Sequence, residues 1–513
     1  MNKSQSNKKW IDKGIKKQHY KQMVKRQPPP GILNQDWEAT PSSVQTLVYT
    51  LLAAVEEMQQ LVPQLQKQIR QLEEQVGKNS RNSSKPPSSD PPHMKKAPPK
   101  AKGKRQRGGQ PGHKGHGRRL KPPEEVTRFV VSKPSECEAC GALLLGADPR
   151  PQRHQVCELP PIKPELIEYQ AHALTCLCCG HKNRASWPIE MPTGSFGPRI
   201  QGLVGYLSGR FSVSRRDVKE MMASIFQVEI GLGSVSAQES QLSTALAQPV
   251  TEAQGYVQQQ AQINTDETSW EKNNKRHWLW TATTELVTIF LVVATRGADG
   301  FKALVGDEFS GITGSDRWSA YNWLDARRRQ LCWAHLLRDF QAFVDRQGES
   351  AIIGQALLKQ ATRLFDLWHR VRDGTLSRPD FQLAMRPIQR EVEALLHLGT
   401  FVNHAQTVKT CTNILKLAPA LWTFVEHDAV EPTNNAAERA LRRGVLWRKR
   451  SFGSQSDRGL RFTERILTTV TTLRQQQRNV LDFLALACQA QHLGLPAPSL
   501  LPVISDGDPV FTN

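Results

Sequence analysis

Gln262-Ile263-Asn264-Thr265-Asp266-Glu267-Thr268 is followed by His277-Trp278-Leu279-Trp280-Thr281-Ala282-Thr283 and then by Val287 to Thr295. All three segments are short and rich in β-branched and aromatic residues. They predict three adjacent strands with an acid on the first, which is how a ribonuclease-H-like sheet starts. Gly300 to Val305 has a helical pattern. Gly311 to Asp316 then reads as a turn and strand that delivers a second acid within Gly314-Ser315-Asp316-Arg317-Trp318. This order places Asp266 mid-sheet and Asp316 at the end of a neighbouring strand.

A third acid is expected from a helix. In Pro432-Thr433-Asn434-Asn435-Ala436-Ala437-Glu438-Arg439-Ala440-Leu441-Arg442-Arg443, Thr433 is placed to cap, and Asn434, Glu438 and Arg442 recur four apart on one face. Glu438 then points inward while Arg439, Arg442 and Arg443 reach outward, and Arg448 and Lys449 continue the basic surface. Three carboxylates on separate elements repel at short range. Two divalent cations roughly 3.5–4 Å apart would hold them together, and hard oxygen ligands suit Mg²⁺ or Mn²⁺. Singly, each acid reads as an ordinary surface carboxylate; their order and element types single them out.

The chain has 513 residues and a formal net charge of +20, too long for one ordinary core. Residues 1–30 contribute +8 of that charge and residues 91–123 contribute +11, so the rest is nearly neutral. Basic arms on a neutral body suit a nucleic-acid partner, because each cation near a phosphate releases a counterion; a solubilising tail is the plainer alternative. Within the second arm Lys102, Lys104, Arg105, Arg107, Lys114, Arg118 and Arg119 are the candidate phosphate contacts. No apolar run approaches the roughly 20 residues of a membrane span, and no signal-peptide core is evident, so a cytoplasmic, nucleoid-associated protein is expected.

Cys137-x-x-Cys140 and Cys176-x-x-Cys179 are two knuckles, each followed by a glycine, Gly141 and Gly180. Four thiolates close a tetrahedral site with no open position, which predicts a structural Zn²⁺. Cys332 and His335 form a lone Cys-x-x-His pair, read as supporting the sheet rather than as a metal site. Leu51, Met58, Leu65 and Leu72 fall seven apart, as do Val55, Val62, Ile69 and Val76. They predict a coiled-coil dimer or a helix packed on the chain's own body, kinked or split at Pro63. Between about 197 and 260 the pattern is helical, with Ser234 as a candidate cap. It fits either a groove-binding helix-turn-helix or an ordinary bundle.

The fold class expected is therefore multidomain α+β. Its parts are a basic arm (1–45), a helix (46–76), a Gly/Pro-rich basic linker (77–124), a zinc ribbon-like domain (125–195) and a helical region (196–260). A ribonuclease-H-like α/β catalytic core (261–485), with a helical insertion at about 340–430, and a tail (486–513) complete it.

These residues resemble the insertion sequence 66 family of DDE transposases, over nearly the whole length. Gly77 to Asp90 is similar to that family's N-terminal signature, and Gly108-Gly109-Gln110-Pro111-Gly112-His113 to its Gly-Gln-Pro-Gly-His motif. The paired knuckles resemble its zinc-binding region, and the segments around Asp266, Asp316 and Glu438 its catalytic motifs. The Gln-rich stretch from Val250 to Ala261 and the long basic arm depart from the pattern without touching the acids. The resemblance implies a DDE triad of Asp266, Asp316 and Glu438, with two Mg²⁺ or Mn²⁺ ions, cutting and joining double-stranded DNA at element ends. Synapsis of two DNA ends makes at least a dimer the expected state, and accessory proteins of the same element are candidate partners. The competing readings are a non-catalytic zinc-ribbon DNA-binding protein with a decayed nuclease-like core, and a ribonuclease-H-like RNA nuclease.

Overall fold

The computed structural model describes residues 28–77, 119–192 and 194–502, without the side chains of 67 and 70–77. The basic arm, most of the linker and the candidates Lys102, Lys104, Arg105, Arg107, Lys114 and Arg118 lie outside the described residues; Arg119 is described and exposed. The chain divides into two units, residues 1–90 and 91–513.

In the first unit a short helix α1 (Asn34–Glu38) leads into α2 (Ser42–Gly77). Trp37 is buried and meets Tyr49 edge-on, with ring centroids 5.4 Å apart. Helix α2 is a single element with Pro63 inside it, where a split was one expectation. Leu51, Val55, Met58, Val62, Leu65 and Ile69, the expected heptad seam, are all exposed.

The second unit opens with the cysteine knuckles. Strands β1 (Ala173–Thr175) and β2 (Lys182–Arg184) pair antiparallel around the second, and a single bridge, Glu136 to Leu143, closes the first. Both use the same hydrogen bonds. Cys137 N–H donates to Ala142 O and Gly141 N–H to Cys137 O, as Cys176 N–H donates to His181 O and Gly180 N–H to Cys176 O, each at 2.8 Å. Gly141 and Gly180 have φ of +71° and +73°, which explains why glycine follows each pair.

Helices α3 (Pro198–Arg210), α4 (Arg215–Ser224) and α5 (Leu232–Ala245) enclose an apolar cluster of Val204, Val218, Met222, Ile230 and Val235. Gly231 occupies the cap position of α5, so Ser234 lies inside the helix rather than capping it. Helix α6 (Ala247–Gln258) then leads into the sheet.

The sheet contains β3 (Gln262–Lys272), β4 (Lys275–Thr283), β5 (Thr288–Val293), β6 (Ile312–Ser315) and β7 (Arg329–Leu331), in spatial order β5-β4-β3-β6-β7. The first three run antiparallel; β6 pairs parallel with β3, and β7 parallel with β6. Alternation sends Ile263, Trp280, Ala282 and Ile289 into one core with residues of α6 and of α7 (Ala298–Val305). The other face carries Trp270, Leu279, Phe290 and Val292. They pack on Leu441 of α13 (Asn435–Ser451) and on Leu460 and Leu467 of α14 (Asp457–Gln475).

Strand β5 is an edge, and α14 covers it. Val292, Phe290 and Thr288 N–H groups donate to Glu464 Oε1, Thr468 Oγ1 and Thr472 Oγ1 at 2.8, 3.0 and 3.1 Å. Four residues of helix rise about 6 Å and two of strand about 6.7 Å, so the two repeats stay in step over this length. The otherwise open backbone donors are satisfied.

Between β7 and α13 lie α8 (Trp333–Asp345), α9 (Gly348–Arg372), α10 (Arg378–Leu398), α11 (Ala405–Leu415) and α12 (Thr423–Glu426). They have their own core of Trp333, Phe340, Phe343, Trp368, Phe381 and Phe424. The last helix, α15 (Val480–Leu493), contributes Leu484 and Ala487 to the sheet's core, and Leu500 is also buried there. The core therefore extends past residue 485, into residues expected to be tail. Among the described residues no helix is long and apolar enough to cross a membrane.

Candidate active site

Strand β3 carries Asp266 near its middle, opposite Thr281 of β4. Asp316 directly follows β6, and β6 pairs with β3 through Asn264 and Gly314. Glu438 lies in the first turn of α13. The residue at the cap is Asn434, not Thr433, and it makes no side-chain capping bond. Its Nδ2 instead donates to the Thr265 carbonyl at 2.6 Å, fastening the start of α13 to β3 beside Asp266. Gly444 allows the same helix to lie close, since a Cβ there would overlap a Leu279 methyl.

The three acids lie near enough for their charges to act on one another, but their oxygens do not join into one ligand group among the described residues. Burial pushes the Asp266 carboxyl well above its usual range, and the charges of Glu267, Asp316 and Glu438 push it further. Glu438 is also raised, by burial first and by Asp316, against the opposing pull of Arg338. Asp266 Oδ1 accepts its neighbour's N–H at 2.9 Å, and Asp316 Oδ1 accepts from Trp318 N–H at 2.8 Å. Glu438 Oε1 and Asn434 Oδ1 are buried without hydrogen-bond partners. Of the three carboxylates only Glu438 has an orphaned oxygen, and that Oε1 faces His335; the remaining carboxylate oxygens are hard donors of the kind that suits divalent cations.

Glu267 faces the other way, because adjacent strand residues alternate. It receives Arg296 Nε at 2.9 Å and the Tyr321 hydroxyl at 2.8 Å. Burial and Asp316 raise its carboxyl; Tyr321 and Arg296 act in the opposite sense. Arg296 also lies over the rings of Trp318 and Trp278, at 3.9 and 4.7 Å from their centroids. Sequence reasoning missed this Glu267–Arg296–Tyr321 anchor. Strict alternation along β3 was the signal that could have separated the two neighbouring acids.

The basic surface is only partly as expected. Arg439, Arg442, Arg443 and Lys449 are exposed along α13. Arg448 is not: its guanidinium bonds Ser269 and Thr268 of β3, tying the helix to the sheet. Arg210 has buried Nε and Nη1 atoms with no partner. Burial, then Arg443 and Arg474, hold its guanidinium below its ordinary value. These arginines line one cavity together with Arg439.

Cys332 and His335 lie beside Glu438. Their ligand atoms and one from Glu438 all lie within 4.8 Å of one another. Burial raises the Cys332 thiol and lowers His335 to about 4. At the knuckles, backbone N–H groups of Ala139 and Cys140 hold Cys137 below the ordinary thiol value, and those of Cys179 and Cys178 do so for Cys176. Each knuckle brings its own pair together. The two pairs do not join into one ligand group among the described residues.

Residues 197–462 match the family described as Transposase IS66 family. This chain belongs to that family. The matched region runs from α3 into α14 and includes all three acids of the site. Residues 38–119 match a family of unknown function, DUF6444. The chain is also similar to the uncharacterized protein y4qI of Sinorhizobium fredii, with 27% identity over 224 residues, 40% of each chain. It thus spans about 40% of the length of the curated relative it matches.

Proposed function

We propose that this IS66-family transposase is a DDE enzyme with a ribonuclease-H-like core, cutting and joining double-stranded DNA at the ends of its element. Asp266 on a central strand, Asp316 at the end of the strand paired with it, and Glu438 on a helix whose start is bonded to the Thr265 carbonyl carry the reading. Strand order β5-β4-β3-β6-β7, antiparallel then parallel, supports the fold assignment.

These three carboxylates would hold two Mg²⁺ or Mn²⁺ ions, which supply activation of the attacking oxygen and charge stabilisation on the leaving oxygen. Asp266 and Asp316 are oriented by the backbone N–H groups each accepts. Asn434 and Arg448 hold α13 on β3, so Glu438 keeps its place as DNA enters. Displacement at phosphorus is in line: a water or DNA 3′-hydroxyl oxygen bonds to phosphorus as the opposite P–O bond breaks. Arg439, Arg442, Arg443 and Lys449 contact backbone phosphates, and the unpartnered Arg210 nitrogens suit another phosphate oxygen. We assign the Cys137/Cys140 and Cys176/Cys179 pairs, separate among the described residues, as two halves of a structural zinc site that closes when the knuckles come together on the ion, and the exposed α2 seam to at least a dimer.

The test is joining of element-end DNA by Asp266→Asn, Asp316→Asn and Glu438→Gln. Each abolishes joining while DNA binding persists. Near-normal joining by any of them removes that residue from the triad.

A further inference from the structure

Cys332, His335 and Glu438 are brought together from the two ends of the helical insertion. Cys332 follows β7 and occupies the cap position of α8; His335 lies in the first turn of α8, and Glu438 in the first turn of α13. A thiol sulfur, an imidazole nitrogen and a carboxylate oxygen therefore meet within 4.8 Å of one another. His335 Nδ1 and Glu438 Oε1 are 3.6 Å apart. Both atoms are buried and neither has a hydrogen-bond partner. Cys332 Sγ accepts the Asn434 N–H at 3.1 Å, in the turn that starts α13.

We propose that Cys332, His335 and Glu438 form a further metal site, of the zinc type, which clamps the start of α8 to the start of α13. Tetrahedral zinc, with bonds of about 2.0–2.3 Å, sets its ligand atoms roughly 3.3–3.8 Å apart. The His335–Glu438 separation falls in that range. A thiolate and an imidazole favour zinc over magnesium, in contrast to the all-oxygen set offered by the two aspartates. The Cys332 thiol gives its proton to solvent as the metal–sulfur bond forms. Burial opposes that loss without a cation, and the cation's charge reverses the balance. The Asn434 N–H and the N-terminus of the thirteen-residue α8 both favour negative charge on the sulfur. Arg338 Nη2, 3.9 Å from the same glutamate oxygen, is the cation that such an ion would displace.

The clamp has a consequence for the reaction, and that part rests on Glu438 being the third acid. A carboxylate has two oxygens. An ion at Oε1 fixes the group while leaving its other oxygen for the aspartate side. The insertion, with its separate core, then becomes a strut that sets the position of the catalytic helix.

The test is metal content of the full-length chain, stripped with a chelator and reloaded with Zn²⁺ in excess Mg²⁺. Cys332→Ser and His335→Ala each bind a single zinc equivalent fewer than the parent, while the knuckle cysteines retain theirs. His335→Cys, which keeps a ligand, retains the equivalent and guards against simple misfolding. Asp266→Asn also retains it. Unchanged zinc content in Cys332→Ser and His335→Ala overturns the site, as does loss in Asp266→Asn, which would assign the ion to the oxygen set. Full zinc content with no DNA joining would instead sink the transposase mechanism and leave this site standing.

Discussion

Replacing Glu267 separates two acids that the sequence places side by side. Its carboxylate is 1% exposed and takes Arg296 Nη2 at 2.8 Å besides the Arg296 Nε and Tyr321 hydroxyl bonds described above. Glu267→Ala strands the hydroxyl of a fully buried tyrosine and a guanidinium that is 34% exposed. Removing one member of a buried pair costs roughly 3–5 kcal/mol, and the access of Arg296 to water puts this case near the low end, about 3 kcal/mol. At about 2–4 °C per kcal/mol, melting falls by roughly 6–12 °C. Glu267→Gln keeps an acceptor for Tyr321 and removes a charge that burial disfavours, so its cost is about 1 kcal/mol or less. Thermal melts with and without Mg²⁺ or Mn²⁺ complete the test, since an ion at a hundred times its Kd adds about 2.7 kcal/mol. Glu267→Gln keeps that cation-dependent rise, and Asp266→Asn loses it. The opposite pattern would show that the two side chains had been assigned to the wrong faces of β3.

Asn434→Ala leaves the Thr265 carbonyl unpaired in a buried place, a loss of about 1–3 kcal/mol measurable by denaturant unfolding, and it slows joining more than it weakens DNA binding. Glu464, raised to about 7 by burial, binds more protons folded than unfolded, so it lowers stability as pH rises from about 4.5 through 7. Glu464→Gln keeps the acceptor for Val292 and gains about 3 kcal/mol at pH 8 but little at pH 4, read from paired unfolding curves. A gain at both pH values would implicate packing rather than titration. Affinity for DNA falls steeply with salt, and neutralising Lys102, Lys104, Arg105 and Arg107 flattens that slope; an unchanged slope places the phosphate contacts elsewhere.

Much of the core was legible in the chain because strands and helices carry their own periodicities. The β-branched runs at 262–268, 277–283 and 287–295 became β3, β4 and β5, and Ala298–Val305 a helix, because each pattern buries apolar side chains on a definite face. The order of the acids followed from the same periodicities. Gly141 and Gly180 declared their turns because left-handed backbone excludes most other residues.

What local pattern could not carry was contact across long sequence separations. Nothing near Glu267 announces Arg296 and Tyr321, and nothing near Cys332 announces Glu438. Arg448 has the composition of a basic surface, yet it turns inward because β3 passes beneath it. The C-terminal segment is too plain to mark itself as core, and only packing against α3 and the sheet buries Leu484 and Leu500. Sequence determined the elements and their chemistry, since those depend on neighbours a few residues away. Tertiary structure decided which groups share a site, because that depends on where the chain returns.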